Sequence, residues 1–349
     1  MRCTCCGHPT LHGGRTTRAS TATVGEVSEG SGDSAGILSV TSMRRLLGTV
    51  VQVRLHSTHG DPDDAVAAGV FAEIERLEQV FSVYRPESEL SRWRADPFHT
   101  PVGSELRSVL ALAEHWFLRG NGAFNPNLGA LTASWRAAGE QGREPDAAIV
   151  ERLVADAARL PYAVVDDTVQ VLGSCIGIDL NAFAKGWIVD RAVEWALHQP
   201  GVLGATVNAG GDLTHRGAGW LRVGVEDPAN RYDNGAPLMV MRLANGAIAT
   251  SGSTRRGVQI GERWFGHVLD PRVGRPVETV VQVSVLADDA ATADVVATIV
   301  GVETREVAET FVASLDRVGV CVIGHGGAAW TNPWWQAHEV GGEGQPATA

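Results

Sequence analysis

Apolar and polar positions along the chain fall into strand-like and helix-like stretches. Residues 46–55 alternate Val and Leu with polar partners, the period of a half-buried strand. Asp61-Pro62 then supplies an N-cap and a first-turn proline for a helix. Val66, Val70, Ile74, Leu77 and Phe81 recur at helical spacing and predict its buried stripe. Further helices are predicted over 104–119, closed by Gly120-Asn121-Gly122, and over 147–159, 181–197, 292–300 and 305–315. Strands are predicted over 163–165, 169–172, 205–208, 221–225, 238–243, 267–269, 281–286 and 318–323. Helices and strands mix without strict βαβ alternation, which predicts an α+β fold over a doubly wound parallel sheet.

Two flanks lack this patterning. Residues 1–37 are rich in Gly, Ser, Thr and Ala, and 336–349 are Gly-rich and polar, so neither buries enough surface to offset its ordering entropy. The expected organisation is a disordered leader over 1–37, one folded domain over 38–335 and a flexible tail over 336–349. The leader shows no apolar core of a secretory signal and gives Cys3, Cys5 and Cys6 no lipoprotein-type context, so the cytoplasm is the expected compartment. Cys3, Cys5, Cys6, His8 and His12 crowd into one run, whereas a structural metal site draws ligands from two separated knuckles. Cys175 and Cys321 stand in apolar surroundings and are expected to be inert core thiols.

Composition narrows the functions. The 349 residues are 44% hydrophobic and 20% charged, ordinary for a soluble protein with a substantial core. Apolar runs such as 295–300 fall far short of the roughly 18 residues a spanning helix needs. Lys+Arg 29 against Asp+Glu 40 gives a net charge of −11, and no basic run exceeds a pair, which argues against general nucleic-acid binding. An anionic ligand would need local positive charge, a bound cation or aimed backbone N–H groups.

Most generic motifs are missing: no Gly-x-Gly-x-x-Gly follows a strand, and there is no Walker Gly-Lys-Ser/Thr or His-Glu-x-x-His. Residues 32–36 match Gly-x-Ser-x-Gly, but in the leader, without the strand and helix a nucleophile elbow requires. Several segments retain chemical interest. Asp294 and Thr298 are four apart on a predicted helix, so both can address one hard cation such as Mg²⁺. Asp179 to Asp190 runs into a helix with Lys185 near its start, an arrangement suited to phosphate oxygens; a capped amphipathic helix with a solvated lysine is the simpler reading. Asn208, Gly210 and Gly211 end a strand with room for close backbone approach to a ligand, or simply make a turn before Asp212. Thr250-Ser251-Gly252 supplies small hydroxyls, and His267 precedes an Asp-Pro turn as the side chain best able to move protons near neutrality.

Taken in order, these segments resemble the ApbE family of FAD:protein FMN transferases. The likeness starts at Leu47-Gly48-Thr49 and continues through 81–92, 122–126, 179–190, 208–212, 250–252 and 267–276. It ends at Ala293-Asp294 and Thr298, covering about 44–325. The resemblance implies a single large mixed domain of ApbE/T-fold-like type, with mostly antiparallel sheets and flanking helices. It implies an enzyme that uses Mg²⁺ and FAD, transfers FMN to a Ser or Thr of a target flavoprotein and releases AMP. By the same resemblance Asp294, Thr298 and the Ala184 carbonyl hold the metal. Tyr84, Ala123, Phe124, Asn125, Lys185, Asn208, Gly210, Gly211, Ser251 and Gly252 meet the flavin nucleotide, and His267 and Lys185 are the catalytic candidates. Asn125 stands where the family usually has Asp, Asn127 replaces a common Thr, and Ser253-Thr254 replaces a commoner acidic-aromatic pair. An FAD pyrophosphatase yielding FMN and AMP, and a non-enzymatic FAD-binding protein, are the alternative readings.

Overall fold

The computed structural model describes residues 38–57, 64–229, 236–254 and 256–340. The expected leader with its Cys and His cluster, the Asp61-Pro62 cap and the last nine residues lie outside them. The chain opens with β1 (Leu38–Leu46) and β2 (Thr49–Ser57), followed by helices α1 (Asp64–Phe81), α2 (Glu89–Ala95), α3 (Ser104–Arg119), α4 (Gly129–Gln141) and α5 (Ala147–Ala157). A small hairpin, β3 (Tyr162–Val165) and β4 (Thr168–Val171), leads to α6 (Ala184–Leu197). Next come β5 (Val202–Ala209), β6 (Asp212–Gly217), β7 (Leu221–Val225), β8 (Met239–Leu243) and β9 (Gly246–Gly252). The hairpin β10 (Gly257–Ile260) and β11 (Arg263–Gly266) and the short pair β12 (Leu269–Asp270) and β13 (Arg275–Pro276) follow. The chain then runs through β14 (Val280–Ala287), α7 (Ala290–Val302), α8 (Arg305–Ala313), β15 (Gly319–Gly324), β16 (Ala329–Thr331), α9 (Pro333–Gln336) and β17 (Glu339–Val340).

The result is α+β, as the sequence predicts. An eight-stranded antiparallel sheet in the order β1-β2-β5-β6-β9-β14-β15-β16 forms the centre. Strand alternation sends successive side chains to opposite faces, and the two faces have separate cores. Val207, Ala209, Ala247, Ala249, Val283 and Val285 join the main core with α1, α3, α6 and α7. Leu213, Ile248, Leu286 and Ile323 face the other way and pack with Val223, Met241 and Trp335, under a smaller sheet in the order β17-β8-β7. A third cluster seats the β10–β11 hairpin on α4 through Trp135 and Phe265, with ring centroids 5.2 Å apart.

The α1 stripe is as expected: Val70, Ile74, Leu77 and Phe81 are buried and Val66 packs at its rim. The strand predicted over 46–55 instead begins at Thr49, because Leu47 and Gly48 have φ of 53° and 70° and form the β1–β2 turn. The helix predicted from 181 starts at Ala184, since the Asp179 side chain accepts from the Asn181 N–H and holds a turn there. The boundary expected at 335 also moves outward: Trp335 is fully buried, and β17 pairs with β8 through Glu339↔Met241 and Val340↔Val240. Cys175 and Cys321 are buried free thiols, each pushed up to about 11 by burial. Among the described residues no helix is long and apolar enough to cross a membrane.

Candidate active site

Two helices and a strand fix the site. α6 lies on β5 and β6, α7 lies on β9 and β14, and the two helices cross in contact. The crossing is possible because residue 186 is Gly: a Cβ there would stand 2.3 Å from the Ala290 carbonyl oxygen. One turn along α6, Asp190 locks the joint. Its carboxylate accepts from the Ala290 and Ala291 N–H groups at 3.0 Å each and from the Thr214 hydroxyl at 2.6 Å. It thereby satisfies the open first turn of α7 and ties α6, α7 and β6 together. Burial still raises its pKa to about 6 against those bonds.

Side chains alternate along β6, so Asp212 and Thr214 share the face that meets the helices while Leu213 and His215 point away. Asp212 is almost fully buried and ion-paired with Lys185, whose Nζ also donates to the Ala209 carbonyl at 3.2 Å. Asp294, in the second turn of α7, lies within carboxyl–carboxyl hydrogen-bond reach of Asp212. Burial and the Asp212 charge raise the Asp294 pKa well above the carboxylate range, opposed by Lys185 and Arg256. One turn further, Thr298 donates its hydroxyl to the Asp294 carbonyl at 3.3 Å, which commits the proton and leaves the oxygen lone pairs available. His267 follows the β10–β11 hairpin, and its N–H donates to the Arg256 carbonyl at 3.1 Å. Its side chain is exposed, with Arg256 and Lys185 within electrostatic range. Desolvation, then Arg256, then Lys185 hold the imidazole below its ordinary range, so it is neutral at pH 7.

A divalent cation fits this donor set. Asp294 Oδ2 is a buried acceptor with no hydrogen bond to satisfy it, and Asp212 Oδ2 is met by the Lys185 ammonium as an ion pair. Among the described residues no three His, Cys, Asp or Glu side chains stand together as a metal group. The set is therefore carboxylate, hydroxyl and carbonyl oxygen, which suits Mg²⁺ completed by water and phosphate.

The ApbE family model matches residues 47–322. The chain belongs to the ApbE family. An FAD:protein FMN transferase of Rhodobacter capsulatus is 28% identical over 305 residues, which cover 84% of this chain and 57% of that relative. The chain thus spans little more than half that relative's length. One from Klebsiella pneumoniae (strain 342) is 30% identical over 258 residues, covering 72% of this chain and 78% of its own. The crystal structure of the Thermotoga maritima ApbE protein superposes with a TM-score of 0.77 at 27% identity, covering 87% of this chain and 100% of that one. The flavin transferase ApbE from Vibrio cholerae shares the fold, with a TM-score of 0.72 at 23% identity over 86% of this chain and 99% of its own.

In this ApbE family member Lys185 lies within electrostatic range of both His267 and Asp294, and Thr298 stands one turn beyond Asp294. Ala184 opens α6 beside Lys185 and can offer only backbone. Ser251 lies on β9 two residues beyond the inward-facing Ala249, on the site's face, with Gly252 ending the strand. The other positions do different work. Asn208 points to the opposite face from Val207 and Ala209, and its Oδ1 accepts from the Gly211 N–H at 3.2 Å. Gly210 and Gly211 form the β5–β6 turn, with φ of 63° and 106°. A Cβ on Gly210 would stand 2.4 Å from the Thr49 hydroxyl. Ala123 and Phe124 are buried, Phe124 edge-on to Phe183 at 5.6 Å, so only their backbone can meet a ligand. The Asn125 amide donates to the Ala157 carbonyl at 2.9 Å and its oxygen accepts from the Asn127 N–H at 2.8 Å. This segment is tied to the Lys185 segment by the Asp179 N–H, which donates to the Pro126 carbonyl at 2.7 Å. Tyr84 is 69% exposed on the loop after α1. Sequence reasoning left Asp212, Asp190 and Arg256 without roles. The signal for the first was strand parity, which needs the start of β6 to be known.

Proposed function

We propose that this chain is an Mg²⁺-dependent FAD:protein FMN transferase. It attaches FMN from FAD through a phosphoester to a Ser or Thr of a target flavoprotein and releases AMP. The observation that carries this reading is that Lys185 and Arg256 lie within electrostatic range of both His267 and Asp294, with Thr298 one turn on from Asp294. The incoming hydroxyl gives its proton to His267 as its oxygen forms a bond to the FMN phosphorus. The phosphorus–oxygen bond to AMP breaks, and AMP leaves with the bridging oxygen. Lys185 and Arg256 offset negative charge on the pyrophosphate, the work phosphoryl transfer asks of an enzyme. Asp294, Thr298 and the Ala184 carbonyl would hold Mg²⁺, which would supply further charge neutralisation. These local cations answer the repulsion that a net charge of −11 would otherwise impose on an anionic substrate.

The test is AMP release from FAD with Mg²⁺ or EDTA, with and without an acceptor flavoprotein, followed by intact mass. The expected result is acceptor-dependent AMP with an FMN-sized mass gain on the acceptor. AMP without any adduct would make the chain a pyrophosphatase, and bound FAD that never yields AMP would leave it a flavin-binding protein.

A further inference from the structure

Two kinds of buried carboxylate occur in this protein. Asp190 is satisfied by two backbone N–H groups and a hydroxyl, the pattern of a structural acid. Asp212 and Asp294 receive nothing comparable. Asp294 Oδ2 is buried without a hydrogen-bond donor, and Asp212 Oδ2 is met by the Lys185 ammonium as an ion pair and by no backbone N–H or hydroxyl among the described residues. They come from different elements, β6 and α7, and Asp190 fixes the spacing by bonding to the next inward residue of β6 and to the first turn of α7. The fold therefore holds two carboxyl groups against each other with their Oδ2 atoms out of water. That arrangement is costly unless a cation or a shared proton lies between them.

We propose that Asp212 is a further ligand of the cation site, and that Lys185 is the placeholder cation that balances the Asp212–Asp294 pair until the metal ion takes over. This rests on the reading that the site takes Mg²⁺. The charges agree with it. The two carboxyl groups meet one ammonium directly, with the exposed Arg256 guanidinium within electrostatic range, and a divalent ion between them would take over the charge that Lys185 balances. Once the ion is in place the pocket is net positive and matches the anionic pyrophosphate of FAD. The Lys185 ammonium, relieved of its carboxylate, is then free to turn toward a phosphate oxygen while keeping the nearby Ala209 carbonyl as its anchor.

The test uses Mn²⁺ as probe on the flavin-free full chain, with free Mn²⁺ read by electron paramagnetic resonance and melting followed with and without MgCl₂. Asp294→Asn and Asp212→Asn are each expected to weaken Mn²⁺ binding by about tenfold or more. Lys185→Gln is expected to tighten it, by about tenfold, because a repelling charge is gone. Without metal, Asp212→Asn should melt no lower than wild type, since it relieves like-charge repulsion, and it should lose the Mg²⁺-dependent rise. If Asp212→Asn proves unfolded, Lys185→Gln alone decides: unchanged or weaker Mn²⁺ binding overturns the proposal. Wild-type affinity in Asp212→Asn with loss in Asp294→Asn overturns it while leaving the Mg²⁺ reading intact. Failure of the wild type to bind Mn²⁺, even with ADP present, overturns both.

Discussion

The Asn125 amide donates to the Ala157 carbonyl, a bond that no carboxylate can make. Asn125→Asp is therefore expected to destabilise this protein by about 1–3 kcal/mol. A fall in melting temperature at neutral pH checks it, and an unchanged melt would sink the argument. His267 is argued to take a proton in the chemical step, so His267→Ala should lower kcat by about a hundredfold or more and leave FAD affinity nearly constant. A pure loss of affinity would reassign it to binding. Part of the candidate site was legible at this scale: Lys185, His267, Asp294 and Thr298 stand in recognisable segments, and Lys185 lies within electrostatic range of His267 and of Asp294. Asp212 was hidden because it reads as the end of a glycine turn; only its position on β6 shows that it faces Asp294. Arg256 was hidden because an exposed arginine has no local signature, and its influence on His267 and Asp294 is visible only in space.

At the scale of elements, the α6–α7 crossing governs the geometry. Gly186→Ala places a Cβ against the Ala290 carbonyl. It should cost about 1–3 kcal/mol as the helices are forced apart, with a loss of turnover larger than the stability loss explains. Retention of full activity in the folded variant would show that the crossing does not set the site. Asp190 adds a pH signature to the same joint. Its folded pKa of about 6 lies above the ordinary carboxylate value, so its contribution to stability is greatest at low pH and is lost as pH rises through 6. Denaturant melts of wild type and Asp190→Asn should diverge progressively between about pH 4 and 6 and run parallel above it. Parallel curves throughout would remove Asp190 from the titrating set. Long, strongly patterned elements were the readable ones: α3 has the predicted bounds, and α1, α5, α7 and α8 differ only at their ends. The sequence did not predict α4, β6 or β9. β9 faces the core with Ala247 and Ala249, too small to produce a hydrophobic alternation. α4 carries its buried Leu131, Trp135 and Ala138 among Gly, Ser and Thr, so its stripe emerges only against the β10–β11 hairpin.

Across the whole molecule, the eight-stranded sheet separates two cores with different duties. The helical side holds the site, and the far side packs Trp335 with Met239 and Met241 beneath the β17-β8-β7 leaf. Trp335→Ala should therefore cost about 3–5 kcal/mol of stability, while the fraction that stays folded keeps its KM for FAD. A changed KM at matched folded fraction would mean the two sides are coupled through the strands. The separation also decides where the molecule can be handled. Leu238, exposed at the entrance to β8, belongs to the leaf behind the sheet. A dye, a surface tether or a fused domain attached there would sit in the lee of the sheet and leave the approach of FAD and of a protein substrate open. The same attachment at Tyr84, exposed on the loop after α1, would crowd the helical side.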